Sequence, residues 1–104
     1  MNVEEMRCVA DEATDVLKTL ANANRLMALC ELIHGEQSVG ELAQRLGVRD
    51  QAMSQQLALL RAKGYVATRR EGQTIYYSVA REDVRRIIES LYELFCAPRK
   101  GSND

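Results

Sequence analysis

The chain has 104 residues, of which 46% are hydrophobic, so it suits one domain with a modest core, and chains this short often gain stability by pairing with a second copy. Charged or polar residues interrupt every apolar stretch well before bilayer length, and no basic region followed by an apolar block opens the chain; we expect a soluble, cytoplasmic protein. The net charge of −1 hides an uneven distribution, because residues 45–70 carry six Lys and Arg against one Asp, so it does not exclude a nucleic-acid partner.

The residues that carry most enzyme chemistry are few and scattered. Cys8, Cys30 and Cys96 form neither a close metal-ligand cluster nor a dense disulfide framework, and in a reducing cytoplasm we expect them to be thiols at rest. The chain has a single histidine, His34, and lacks a nucleophile motif or a glycine-rich loop that could hold phosphate. The sequence therefore argues against an enzyme and predicts no cofactor.

Each of the first two predicted helices has an apolar face. The first helix repeats apolar residues at alternating spacings of three and four, a pattern suited to packing against another helix and hence a candidate dimer interface; these residues are Val3, Met6, Ala10, Ala13, Leu17 and Leu20. The second helix runs from an Asn22 cap to Gly35 and places Cys30 on the face that points to the core.

Two short helices follow around a tight turn. Ser38 and Glu41 have the spacing of a capping box, so a third helix begins there and ends at Gly47. After the turn Val48–Asp50, a fourth helix from about Gln51 to Lys63 buries one apolar face, made by Met53, Leu57 and Leu60. This arrangement is typical of a helix-turn-helix.

A β-hairpin and a last helix complete the predicted fold. Residues 66–70 and 75–79 are rich in β-branched and aromatic side chains and flank Glu71-Gly72-Gln73, where glycine is free to take positive φ. The last helix begins near Arg81 and ends before Pro98. We predict a mainly α, homodimeric winged helix-turn-helix with about five helices and a two-stranded wing, as one domain over residues 1–97 followed by a flexible tail over residues 98–104.

Polar and basic side chains on the fourth helix and the hairpin favour DNA as the partner. Gln and Ser near the start of a recognition helix hydrogen-bond base edges in the major groove, and arginines on a wing bind phosphate or enter a minor groove. The predicted contacts are Arg49, Gln51, Ser54, Gln55, Gln56, Arg69, Arg70 and Gln73. Two alternatives remain at this point: the same side chains form an ordinary solvated face, or the winged helix binds another protein and no DNA.

Five segments of the chain carry a family resemblance. In this order they resemble the successive signatures of the ArsR/SmtB repressors: residues 16–26, 38–43, 53–60, 63–66 and 70–77. The resemblance implies a homodimer whose first and last helices form the interface, a double-stranded operator DNA as partner, and an inducer that releases the DNA.

The inducer is the harder question, because the metal ligands that members of this family use are missing here. The positions of the Cys cluster hold Ser38-Val-Gly-Glu-Leu, and those of the Asp and His ligands hold Asp83-Val-Arg85. We therefore predict no metal site, although a metal-responsive repressor using Cys30, His34 and Cys96 remains an alternative, since Cys30 and His34 are one helical turn apart.

The placement of Cys30 and Cys96 resembles instead the thiol-based, sulfide- and persulfide-responsive branch of that family, the SqrR-, BigR- and HlyU-like regulators. The resemblance implies that reactive sulfur species link the two thiols and release the operator, and that Cys8 is dispensable. A general thiol-redox regulator answering to peroxide or disulfides is the alternative, as is a purely structural role for both cysteines.

Overall fold

The computed structural model describes residues 1–96, and over these residues the chain forms five α-helices and three strands. In chain order the elements are α1 (Val3–Leu20), α2 (Ala23–Ile33), β1 (Gln37–Ser38), α3 (Val39–Leu46), α4 (Asp50–Ala62), β2 (Val66–Glu71), β3 (Thr74–Val79) and α5 (Glu82–Phe95). The helix-turn-helix, α3 and α4, is followed directly by the β2–β3 hairpin, so the predicted winged-helix fold is confirmed. The tail predicted at residues 98–104 lies outside the described residues.

The helix ends follow from local chemistry. The Asn22 side chain accepts a hydrogen bond from the Arg25 backbone N–H and so caps the start of α2. At α3 both halves of the predicted capping box are present: the Ser38 hydroxyl accepts from the Glu41 N–H, and the Glu41 carboxylate accepts from the Ser38 N–H. Gly47 ends α3 in the left-handed conformation, with φ of 68°, which favours glycine.

One hydrophobic core holds the described elements together, with α2 at its centre. Helix α2 contacts each of the other four helices and β3, and its Ala28 and Leu29 have no exposed surface. The apolar face predicted for α4 is buried against it, since Met53, Leu57 and Leu60 are all inaccessible to solvent. Packing of α4 against α2 therefore fixes which α4 side chains point outward.

The sheet has three strands in the order β1-β3-β2, not the two expected from the sequence. Gln37 and Ser38 pair antiparallel with Tyr77 and Tyr76 and so add a short strand to the hairpin. The predicted three-residue loop is also shorter, because Glu71 and Thr74 form the last pair of the hairpin and leave only Gly72 and Gln73 in the turn. Gly72 has φ of 63°, as such a tight turn requires.

Apolar side chains remain exposed on both terminal helices. On α1 they are Val3, Met6, Val9 and Leu17, and on α5 they are Tyr92, Leu94 and Phe95. In contrast, Val16 and Leu20 of α1 and Val84 and Ile88 of α5 are buried in the core. Among residues 1–96 no helix is both long and apolar enough to cross a membrane.

Candidate nucleic-acid interface and thiol site

The outer face of α4 carries three of the predicted DNA contacts. Gln51, Ser54 and Gln55 are exposed near the start of the helix, on the side opposite the buried Met53 and Leu57. Arg49 occupies the N-cap position of the same helix and is also exposed. The structure therefore brings four hydrogen-bonding side chains to the first turns of α4, the part that a recognition helix presents to base edges.

Gln56 is less exposed than these residues, and its predicted DNA contact stays a prediction. Its side-chain oxygen accepts a hydrogen bond of 3.0 Å from Nη1 of Arg25, and the residue is half-buried. Arg25 also donates from Nε to the carbonyl oxygen of Thr19, at 2.7 Å. One arginine thus ties α4 to the end of α1 and the start of α2. This positioning role has no local signal in the sequence, because Arg25 and Gln56 are 31 positions apart in the chain.

The wing arginines differ in their surroundings. Arg69, paired with Tyr76 across the hairpin, donates from Nε and Nη2 to Glu36 and from Nη1 to Glu71, with Nε 3.1 Å from Oε1 of Glu36. Its guanidinium also lies over the Tyr76 ring, 4.9 Å from the ring centroid. The hydrogen bond that Arg69 donates lowers the pKa of Glu36, and the hydrogen bonds that Glu36 and Glu71 accept raise the pKa of Arg69. Arg69 therefore has carboxylate partners that the sequence did not predict.

Arg70 and Gln73 lie closer to the hairpin turn and are exposed. The Nε of Arg70 donates to the backbone carbonyl of Gly72 at 3.1 Å, and no carboxylate within residues 1–96 forms an ion pair with its guanidinium. Arg69 and Arg70 are adjacent and thus point to opposite faces of the ribbon. The predicted wing contacts are therefore exposed, but they are not equivalent in charge.

The thiols of Cys30 and Cys96 both lie by the junction of α2 and α5. Cys30 is half-buried, contacts the core, and opens into a cleft of about 530 Å³ whose other lining residues are Ile33, His34, Ile88, Glu89, Tyr92 and Glu93. Cys96 caps the end of α5, one turn after Tyr92, and is exposed. Burial, then the charge of Glu31, then that of Cys96, raise the pKa of the Cys30 thiol.

All three cysteines are free thiols. Cys8 is exposed on the first half of α1 and does not line the cleft that Cys30 enters. Within residues 1–96, no group of three or more His, Cys, Asp and Glu side chains is arranged to hold a metal ion. Of the two predicted sensing thiols, Cys30 lines this cleft, and Cys96 lies at the exposed C-cap of α5, outside the cleft lining.

Comparison with known proteins assigns the chain to a family. The model of the MarR family matches residues 19–74, which run from the end of α1 through the helix-turn-helix to the hairpin turn and make up more than half of the chain. The chain belongs to the MarR family.

Curated relatives of this MarR-family chain are regulators of transcription. It is 50% identical to the biofilm growth-associated repressor of Agrobacterium fabrum over 88% of this chain and 79% of the repressor. It is 45% identical to the transcriptional activator HlyU of Vibrio cholerae over 92% of this chain and 89% of HlyU. The MarR-family chain is thus a winged-helix transcriptional regulator of this type and not an enzyme, as predicted.

Solved structures with the same fold are also regulators of transcription. The repressor BigR from Xylella fastidiosa superposes on this MarR-family chain with a TM-score of 0.88 at 42% identity, covering 93% of this chain and 99% of BigR. A homodimeric winged helix-turn-helix DNA-binding domain from Mycobacterium bovis, described as a possible ArsR-family regulator, superposes with a TM-score of 0.74 at 35% identity, covering 85% of this chain and 82% of that domain. Winged-helix regulators with this fold bind DNA, and the homologous domain from Mycobacterium bovis is a homodimer.

Proposed function

We propose that this chain is a homodimeric repressor of the ArsR/SmtB type that binds a double-stranded operator in its reduced state and releases it when sulfur links Cys30 to Cys96. The observation that carries the proposal is the placement of these two thiols: Cys30 on α2 lines a cleft against α5, and Cys96 is exposed at the end of α5. The motif resemblance and the likeness to BigR and HlyU support the same assignment.

The operator would be contacted by α4 and the wing. Exposed Gln51, Ser54 and Gln55 are suited to base edges, and Arg49, at the start of the helix, to phosphate or guanine. Arg69, Arg70 and Gln73 on the hairpin would add contacts with the DNA backbone. Two copies of the helix in a dimer would enter successive major grooves about one DNA turn apart, which predicts a pseudo-palindromic operator.

The dimer would form through the first and last helices. Both leave apolar side chains exposed in the single chain, including Met6 and Leu17 on α1 and Leu94 and Phe95 on α5. Burying such surface against a second copy is favourable by roughly 25 cal/mol per Å² before the costs of association are counted. These exposed faces support an interface made by α1 and α5.

The different exposure of the two thiols suggests the order of the chemistry. The exposed Cys96, as thiolate, attacks the outer sulfur of a persulfide RS–SH, takes that sulfur, and releases RS⁻. The Cys30 thiolate then attacks the Cys96 sulfur, so that HS⁻ leaves and a Cys30–Cys96 disulfide forms. Where Cys30 has also gained a sulfur, the Cys96 persulfide attacks the Cys30 sulfur instead, and the products are a trisulfide bridge and HS⁻.

A bridge between these residues would connect a proposed interface helix to the core helix that supports α4. Helix α2 contacts both α4 and α5. A bond that draws the end of α5 toward Cys30 would therefore change how α2 packs against the recognition helix α4. A tenfold loss of operator affinity requires a difference of only about 1.4 kcal/mol between the two states. A small change in the spacing of the two recognition helices is sufficient for that.

The test combines intact-protein mass with DNA binding. The reduced dimer first selects a duplex from a random-sequence pool, and it is then treated separately with an organic persulfide, a disulfide and peroxide before its affinity for that duplex is measured. We expect persulfide to join Cys30 to Cys96, by a disulfide or by a trisulfide that contains one added sulfur, and to weaken binding. Cys30→Ser and Cys96→Ser should then resist release, whereas the matched control Cys8→Ser should respond like the unsubstituted chain.

Other outcomes would assign a different function. Release by all three reagents would indicate a general thiol-redox regulator, and release of DNA from Cys30→Ser by persulfide would remove the two-thiol mechanism. Failure of the reduced dimer to select any duplex, together with salt-insensitive binding to another protein, would indicate a protein-interaction module.

A further inference from the structure

We propose that Glu36 sets the operator affinity of this regulator by competing with DNA phosphate for Arg69 on the wing. The inference rests on the proposed role of the wing in DNA binding and goes beyond it, because it assigns an opposing function to an acidic residue outside the helix-turn-helix. Glu36 lies between α2 and β1, where it faces the hairpin.

The donors of Arg69 are directed at carboxylates on both sides of the guanidinium. Nε and Nη2, the edge that binds a phosphate or carboxylate in bidentate fashion, both donate to Glu36. Nη1, on the other side, donates to Glu71 at 3.0 Å. One face of the same group is covered by the Tyr76 ring. A phosphate reaching Arg69 would therefore have to displace Glu36 from the edge that phosphate itself prefers.

Charge opposes the phosphate as well. Glu36 and Glu71 bring two negative charges to the one positive charge of Arg69, so the cluster has a net charge of −1 in this arrangement. Its members are all substantially exposed, so exchange needs only side-chain rotations and no repacking of the core. Ion pairs at such sites are weak and screened by salt. A phosphate of the DNA backbone can therefore compete with Glu36 for Arg69.

The neighbouring Arg70 provides an internal comparison. It is exposed and donates to the Gly72 carbonyl, a neutral partner, so its charge faces a phosphate without a competing carboxylate at that contact. On the wing, the charge of Arg69 is paired with carboxylates, and the charge of Arg70 is not. We expect Arg70→Gln to weaken binding more than Arg69→Gln does.

The variant Glu36→Gln tests the inference directly. Removing the competing charge frees the bidentate edge of Arg69, so affinity for the selected duplex should rise about twofold to fivefold for each protomer, the effect of one exposed ion pair. The plot of log affinity against log salt should also become steeper by about 0.9 for each protomer, because one more phosphate is contacted. Thermal unfolding should confirm that the variant folds, and Glu71→Gln, which removes the second carboxylate, should change affinity in the same direction.

A double-mutant cycle separates competition for Arg69 from the general effect of removing a negative charge near DNA. In an Arg69→Gln background, Glu36→Gln should leave affinity nearly unchanged. An equal gain in both backgrounds, no gain, or a loss of affinity in Glu36→Gln alone would each overturn the proposal. If the unsubstituted protein bound no duplex at all, the proposed function would fail too; binding without a Glu36 effect would refute only the competition.

Discussion

At the scale of single residues, the three thiols differ in how readily they should react. Cys30 is half-buried and its pKa is raised, first by burial and then by the charge of Glu31, so less of it is thiolate at neutral pH than of an ordinary cysteine. Cys8 and Cys96 are exposed. We predict that iodoacetamide at neutral pH modifies Cys30 last. The rate at Cys30 should also keep rising at pH values where an ordinary cysteine is already fully ionised. Peptide mass spectrometry of timed samples would measure the three rates.

The control for that experiment changes the electrostatic cause and keeps the cysteines. Glu31→Gln removes the second largest contribution to the raised pKa, so it should speed the modification of Cys30 while leaving Cys8 unaffected. Modification of Cys30 before Cys96 in the unsubstituted chain would contradict the order of attack that we propose.

Single residues are also where sequence and structure diverge most. The pattern of polar residues placed Gln51, Ser54 and Gln55 correctly on the exposed face of α4, because the buried Met53 and Leu57 fix the helix orientation. The same pattern does not predict the hydrogen bond from Arg25 to Gln56 or that from Arg69 to Glu36, since each pair joins residues more than thirty positions apart. Periodicity gives the direction of a side chain, but its partner depends on the tertiary fold.

At the scale of elements, the start of α3 depends on a local device that can be removed. The capping box of Ser38 and Glu41 satisfies two backbone N–H groups at the N-terminus of an eight-residue helix, too short to be stable alone. We predict that Ser38→Ala lowers the free energy of unfolding by about 1 kcal/mol. Urea unfolding followed by circular dichroism would measure this, and Gln44→Ala, at an exposed position of the same helix, should have little effect. Equal losses in both variants would argue against the cap.

The same local signals explain which elements could be predicted. Caps and glycines mark the ends of α2, α3 and α4 to within a residue or two, and alternating β-branched and aromatic residues mark the hairpin. Strand β1 was missed because Gln37 and Ser38 are only two residues long, immediately precede a helix, and become a strand solely by pairing with β3. Short strands of this kind have no periodicity to detect.

At the scale of the whole molecule, some apolar side chains are buried in the core, and others are exposed on the terminal helices. The buried cluster draws on every helix and on both strands of the hairpin, yet α1 and α5 each also carry apolar side chains that are exposed within residues 1–96. We therefore propose that these exposed side chains form the interaction site of the domain. The positions of α1 and α5 at the two ends of the described chain allow them to pair with the same helices of a second copy without disturbing the helix-turn-helix.

Charged substitutions on α1 and α5 test whether these two helices form the dimer interface. Leu17→Glu and Leu94→Glu place a charge on exposed apolar positions, at 59% and 71% exposure, so the single chain should fold with its helix content intact, while pairing would have to bury an unpaired carboxylate. We expect both variants to sediment as monomers and, having lost the second half-site, to bind the selected duplex at least about a hundredfold more weakly. Met27→Glu, at a comparably exposed apolar position on α2, should remain dimeric and bind normally. A Leu17→Glu chain that still sedimented as a dimer would mean that α1 does not form the interface, and full DNA affinity in a monomeric variant would mean that one wing and one recognition helix suffice.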